Sequence, residues 1–223
     1  MKHNQILRRG LSILLSLVLC LSLLPATALA EGTATATETA DFTTDAEAAL
    51  ALLNAAKTEG AANSEWDPAT STLTLKGVDF TTSAGFAVWL PDGATIVLAD
   101  GTENTIANVH GLIGDSVGIR ANGNITIQGS GTLTVTAGEA EYSSGIYADG
   151  NVTIKGGTVT ATGGEAEYSS GIDADGVTIS GGTVTATGGK AATNSRGIDA
   201  YTNVTISGGT VTATGGETTH DSW

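Results

Sequence analysis

Disulfide cross-links are the first thing this chain excludes. It has one cysteine in 223 residues, Cys20, inside an apolar N-terminal run, so whatever stiffens the rest is not a covalent staple. Aromatic residues make up only 4%, too few for a core built on large rings. The three histidines, His3, His110 and His220, have no metal-ligand spacing, which leaves no histidine-based zinc site. Basic residues are scarce as well. Three of the nine lie within the first nine positions, and without them six face 23 acids, a charge of −17. A chain of that sign does not bind nucleic acid or an anionic membrane through charge. The longest apolar run, residues 11–24, falls short of the roughly 20 residues needed to span a bilayer.

That run has the pattern of a secretory signal. Lys2, Arg8 and Arg9 precede it and Ala28-Leu29-Ala30 follows as a small-residue cleavage site, so residues 1–30 are expected to be removed and the rest secreted to the bacterial cell surface or beyond. Leu19 before Cys20 is too large for the usual lipoprotein signal. Residues 31–43 are Thr/Ala-rich without periodicity and read as a flexible leader. Thr44-Asp45-Ala46-Glu47 forms a capping box, and Ala49, Leu50, Leu53 and Ala56 recur on one face. This predicts a short capping helix over residues 44–60 that lids the end of the domain that follows.

Glycine, by contrast, is abundant at 31 residues, and it recurs at fixed intervals. Four copies of one unit begin at Gly118, Gly145, Gly171 and Gly197, offset by 27, 26 and 26 residues; the second reads GIYADGNVTIKGGTVTATGGEAEYSS. A fixed period of this size predicts a solenoid in which each unit buries its apolar side against its neighbours. Three alternating segments per unit, as at 145–148, 152–154 and 158–162, predict three short strands. Asp149-Gly150, Gly156-Gly157 and Gly163-Gly164 supply the corners, with positive φ expected there. Six positions repeat as inward apolar columns, led by Ile119/Ile146/Ile172/Ile198 and Ala121/Ala148/Ala174/Ala200. The fold expected over residues 61–223 is therefore all-β, a right-handed parallel β-helix of about five to six coils with like residues stacked about 4.8 Å apart; the hand is a prior rather than a reading. The last unit stops at Trp223, where another coil would begin and no cap is recognisable. Either the sequence is a fragment of a longer protein or Trp223 and its neighbours cover the end.

Chemistry must be sought on the outward rows. The third position of each unit runs Arg120, Tyr147, Asp173, Asp199, and the fifth Asn122, Asp149, Asp175, Tyr201. Carboxylates about 5 Å apart repel by roughly 1 kcal/mol even in water, and a hard cation with oxygen ligands would offset that. Asp149, Asp173, Asp175 and Asp199 are thus candidate ligands for Ca²⁺; the alternative is that Asp149 and Asp175 serve Asp-Gly turns and the others are solvated. The closing segment Glu139-Ala140-Glu141-Tyr142-Ser143-Ser144 recurs at 165–170, setting Tyr142 beside Tyr168. Exposed rings offer a platform for sugar faces, with Glu141, Glu167 and Tyr147 nearby; the alternative is that each Tyr stacks on its copy to hold a loop. Outward threonines, as at 158, 160 and 162, suit a flat sheet, and the same array is what an ice-binding face would need. The sequons at Asn124, Asn151 and Asn203 arise from the repeat. Catalysis has little support: His220-Asp221-Ser222 is a local coincidence, and a polysaccharide lyase would need a base beside the cation, for which only Arg120 and Arg196 are available.

Segments TIVLADGTENTI (95–106), GNITIQGSGTLTVT (123–136) and DGVTISGGTVTATGG (175–189) resemble a bacterial family of secreted carbohydrate-binding proteins. The likeness covers about residues 66–216. It implies a polysaccharide-lyase-like right-handed β-helix that carries calcium and binds pectic and cellulosic polymers. That family often has an acidic pair immediately before each Gly-Ile, where this chain has Ser143-Ser144 and Ser169-Ser170. The expected function is a non-catalytic, secreted carbohydrate-binding module; the competing class is a structural adhesin or stalk whose repeats set only length and stiffness.

Overall fold

The structure, a computed structural model, describes residues 63–109 and 114–219. The expected signal (1–30), leader (31–43) and capping helix (44–60) lie outside the described residues, as do His110 and residues 220–223. Among the described residues every regular element is a strand. They run β1 (Ser64–Asp67), β2 (Thr72–Leu75), β3 (Asp79–Thr82), β4 (Phe86–Leu90), β5 (Ala94–Leu98), β6 (Glu103–Asn108), β7 (Asp115–Ala121) and β8 (Ile125–Gly129). They continue with β9 (Thr132–Thr136), β10 (Tyr142–Ile154), β11 (Thr158–Thr162), β12 (Ala166–Ile179), β13 (Thr183–Thr187), β14 (Ala191–Ile206) and β15 (Thr210–Thr214).

These strands wind into a parallel β-solenoid of about five turns with three walls. The second wall is a six-stranded parallel sheet ordered β15-β13-β11-β9-β6-β3. The first and third walls share one sheet, because β10, β12 and β14 each turn a corner and belong to both. Units stack one rung each, in register. Ile119 pairs with Ile146, Ile146 with Ile172 and Ile172 with Ile198, and the first three are wholly buried. Small Ala121, Ala148 and Ala174, two residues further along the same strands, are buried in the same core. In the last coil the column opens: Val204 and Ile206 are 47% and 55% exposed, since no coil follows among the described residues. At the opposite end β1 pairs antiparallel with β2, Trp66 facing Leu73, and covers that edge.

Two expectations about the corners change. Tyr142-Ser143-Ser144 is not loop but the start of β10, paired with the matching residues of β12. The corners also use glycine differently. Gly157 has the expected positive φ, +80°, but most of the predicted corner glycines do not. Gly145 is required by space: a Cβ there would lie 2.7 Å from Thr162 N and 2.8 Å from the Gly171 carbonyl, inside van der Waals contact.

The first serine of each Tyr-Ser-Ser is a buried brace. Ser143 Oγ donates to the Gly138 carbonyl at 2.8 Å and accepts from Gly164 N at 2.7 Å, so it ties its own coil to the next. Ser169 repeats this with Gly164 and Gly189, and Ser195 with Gly189 and Gly216. Ser169→Ala strands one part-buried carbonyl and one part-buried amide. It is expected to cost about 1–3 kcal/mol in urea unfolding, and a loss below about 0.3 kcal/mol would contradict this role. Two of the three sequon asparagines serve a second ladder: Asn124 Nδ2 donates to Asp92, and Asn151 Nδ2 to Asn124 Oδ1.

Candidate functional site

Parallel register brings two predicted features together. Along the third wall, formed by β4, β7 and the first halves of β10, β12 and β14, one outward row reads Asp115, Tyr142, Tyr168, Asn194 and another Arg120, Tyr147, Asp173, Asp199. Tyr142 and Tyr168 stack, with centroids 5.1 Å apart and planes 7° from parallel. Each ring therefore hides one face on the other, so the pair is not an open double platform. The free face of Tyr168 points to the coil where the ladder breaks and Asn194 stands in place of a third ring. A groove of about 310 Å³ opens there, lined by Tyr142, Tyr168, Asp173, Asn194, Arg196, Asp199 and Tyr201, with Ser144, Ser169 and Ser170.

The break has a local cause in the sequence. The third unit closes with Lys-Ala-Ala-Thr-Asn-Ser-Arg instead of Glu-Ala-Glu-Tyr-Ser-Ser. Its extra residue appears as a register shift between Ala166 and Tyr168 against β14. A one-residue gap after Ala174 balances it, because Ala174 pairs with Ala200 but Gly176 pairs with Asn203. The inward column stays aligned while the outward row changes chemistry.

The candidate residues fall into separate places. Tyr142, Tyr168, Asp173 and Asp199 line the groove. Glu141 is exposed beside Tyr142, and Glu167 lines a second, wider hollow with Glu139 and Glu165. Tyr147 belongs to a different cluster: Arg120 lies 4.7 Å over its ring and also over Phe86 and Trp89. Its hydroxyl donates to Asp149 at 2.8 Å. Burial, that hydrogen bond and the Asp149 charge push the Tyr147 hydroxyl up to about 12. Arg120 reaches Asp149 at 3.1 Å, so Asp149 is already neutralised. Asp175 is exposed and its carbonyl accepts from Thr202 Oγ1.

For a metal ion the four aspartates therefore do not assemble as one set. Among the described residues no group of three or more His, Cys, Asp or Glu is arranged to hold an ion. Asp173 and Asp199 are in register, yet Arg196 ion-pairs with Asp199 and already supplies a positive charge.

Asp173 is the group left over. Its Oδ1 is buried with no hydrogen-bond partner. Burial raises its pKa from 3.8 to about 6, the Asp199 charge adds to this, and Arg196 opposes it. The fold thus holds the Asp173 proton more tightly than the unfolded chain does. Between about pH 4 and 6 this carboxyl makes stability fall as pH rises, and the penalty persists above pH 6. Asp173→Asn is expected to be more stable than the parent at pH 7 and to lose that advantage near pH 4. Urea unfolding at the two pH values checks this, and a variant less stable at pH 7 would contradict it.

Asn194, Arg196 and Tyr201 were absent from the sequence-based site. Asn194 and Arg196 replace a Tyr and a Ser at aligned positions, and only the departure from the repeat could have signalled them. The family described as carbohydrate-binding domain-containing protein matches residues 52–222. No curated protein and no solved structure matches the chain. Among the described residues no helix is long and apolar enough to cross a membrane. With more than half its length matched, including every residue of the groove, the chain belongs to this family of carbohydrate-binding domain-containing proteins.

Proposed function

We propose that the groove beside Tyr168 is the carbohydrate site of a secreted, non-catalytic module that holds a polysaccharide at the bacterial surface. The observation that carries the reading is the open slot where Asn194 interrupts the tyrosine ladder. One aromatic face stays bare there, with amide, hydroxyl and charged groups around it. A sugar ring has an apolar face for the ring and a polar rim for such groups. Family membership supports carbohydrate as the ligand. The signal-like first 30 residues support secretion.

Retention on a panel of immobilised glycans tests this. Tyr168→Ala is expected to weaken binding at least about tenfold, the loss of an aromatic anchor. Tyr142→Ala is expected to weaken it less, since that ring only backs Tyr168. Retention on no glycan would favour a stalk whose repeats set only length. Turnover of a bound polymer would favour a lyase instead. Calcium is a separate proposal, confined to Asp173 and Asp199: melting with and without a chelator tests it, and an unchanged midpoint removes the ion from the site.

A further inference from the structure

The sign of the groove's charge limits which sugars it can hold. Three charged side chains line it: Asp173, Asp199 and Arg196. Arg196 and Asp199 form an ion pair and largely cancel, which leaves one net negative charge on Asp173. Its Oδ1 is buried without a hydrogen-bond partner, while the residue itself lines the groove. Beyond the lining, the field keeps the same sign. The Tyr201 hydroxyl is pushed up first by Asp173 and further by burial and Asp199, with Arg196 opposing and Asp175 adding. At the other end of the groove the Tyr142 hydroxyl is pushed up by burial and then by Glu141, Tyr168, Glu167 and Asp115.

A polyuronate would bring a carboxylate on every residue into this field and be repelled. An amino sugar with a free, protonated amine brings the complementary charge and three donors, which suit a carboxylate lining the groove. Tyr168 and Asp173 are five residues apart on β12, up to about 16 Å at full extension. Successive rings of an oligomer can span that separation along the groove.

We propose that the groove selects an oligosaccharide of non-acetylated hexosamine, its ring on Tyr168 and an ammonium group at Asp173. This rests on the groove being the carbohydrate site. The test is titration of the full chain with three oligosaccharides of equal length: a β-1,4-glucosamine oligomer, its N-acetylated counterpart and a galacturonate oligomer. The glucosamine oligomer is expected to bind at least about tenfold more tightly than the acetylated one, with affinity falling as ionic strength rises. The galacturonate oligomer is expected not to bind. Asp173→Asn keeps the fold and is expected to erase the preference, bringing the glucosamine oligomer's affinity down to that of its acetylated counterpart. Equal or tighter binding of the acetylated or galacturonate oligomer, still lost in Tyr168→Ala, overturns the amino-sugar assignment and leaves the site standing. Binding of any oligomer that Tyr168→Ala does not weaken, or of none, overturns both.

Discussion

Asn194→Tyr is expected to stabilise the protein and abolish glycan binding in one substitution. Position 194 is in register with Tyr168, whose far face already stacks on Tyr142 at 5.1 Å. A third tyrosine would extend that stack by one rung. An aromatic pair of this kind contributes about 0.5–1.5 kcal/mol, a rise of roughly 1–6 °C in Tm for a domain of this size. The same ring would fill the slot in which a sugar is proposed to lie. Covering the one open aromatic face and blocking access to the slot predicts a fall of about a hundredfold in affinity. Scanning calorimetry reads the first effect and titration the second. An Asn194→Tyr protein that melts higher and binds as before would place the glycan elsewhere.

Ile172→Ala should be the most damaging single truncation in the core. Ile172 is fully buried between Ile146 and Ile198, and its strand carries both Tyr168 and Asp173. Removing a large aliphatic side chain from such a site costs about 2–5 kcal/mol, the transfer loss plus the cavity left behind. A solenoid coil contacts only its neighbours, so the damage is not shared across a wide core. Ile198→Ala, one rung on, is the control. Ile198 is only partly buried, and its loss should be less than half as large. Urea unfolding of the two variants measures the difference, and equal losses would mean that the column is not the element holding the coils together.

The inward columns and the threonine rows were legible because they obey two periods at once: alternation within a strand and one unit between strands. Where both hold, as at Ile119, Ile146 and Ile172, letters aligned in the sequence become touching side chains. Thr158, Thr183 and Thr210 align on the second wall by the same rule. The groove was not legible, because it is made by the unit that departs from the pattern. Asn194 and Arg196 carry no motif, and their meaning comes only from the Tyr and Ser they replace. The Tyr pair was placed correctly, but repeat spacing could not say that the two rings would cover each other. Tyr147 keeps its expected row but belongs to a different cluster. Its row begins with Arg120, and a guanidinium beside a ring and a carboxylate gathers both. That commits Tyr147 and Asp149 to each other and to Arg120 on the outward surface. Ser143 and Ser169 were read as substitutes for acids at a surface, whereas the strand turns their hydroxyls inward onto backbone.

The most direct trial of the carbohydrate site is a crystal structure of the protein with the tightest-binding oligosaccharide from the panel. The account predicts a sugar ring parallel to Tyr168 on the side facing Asn194, with its polar rim toward Asp173, Asp199 and Tyr201. Sugar lying along the threonine wall, or density anywhere that leaves the Tyr168 face bare, would contradict it.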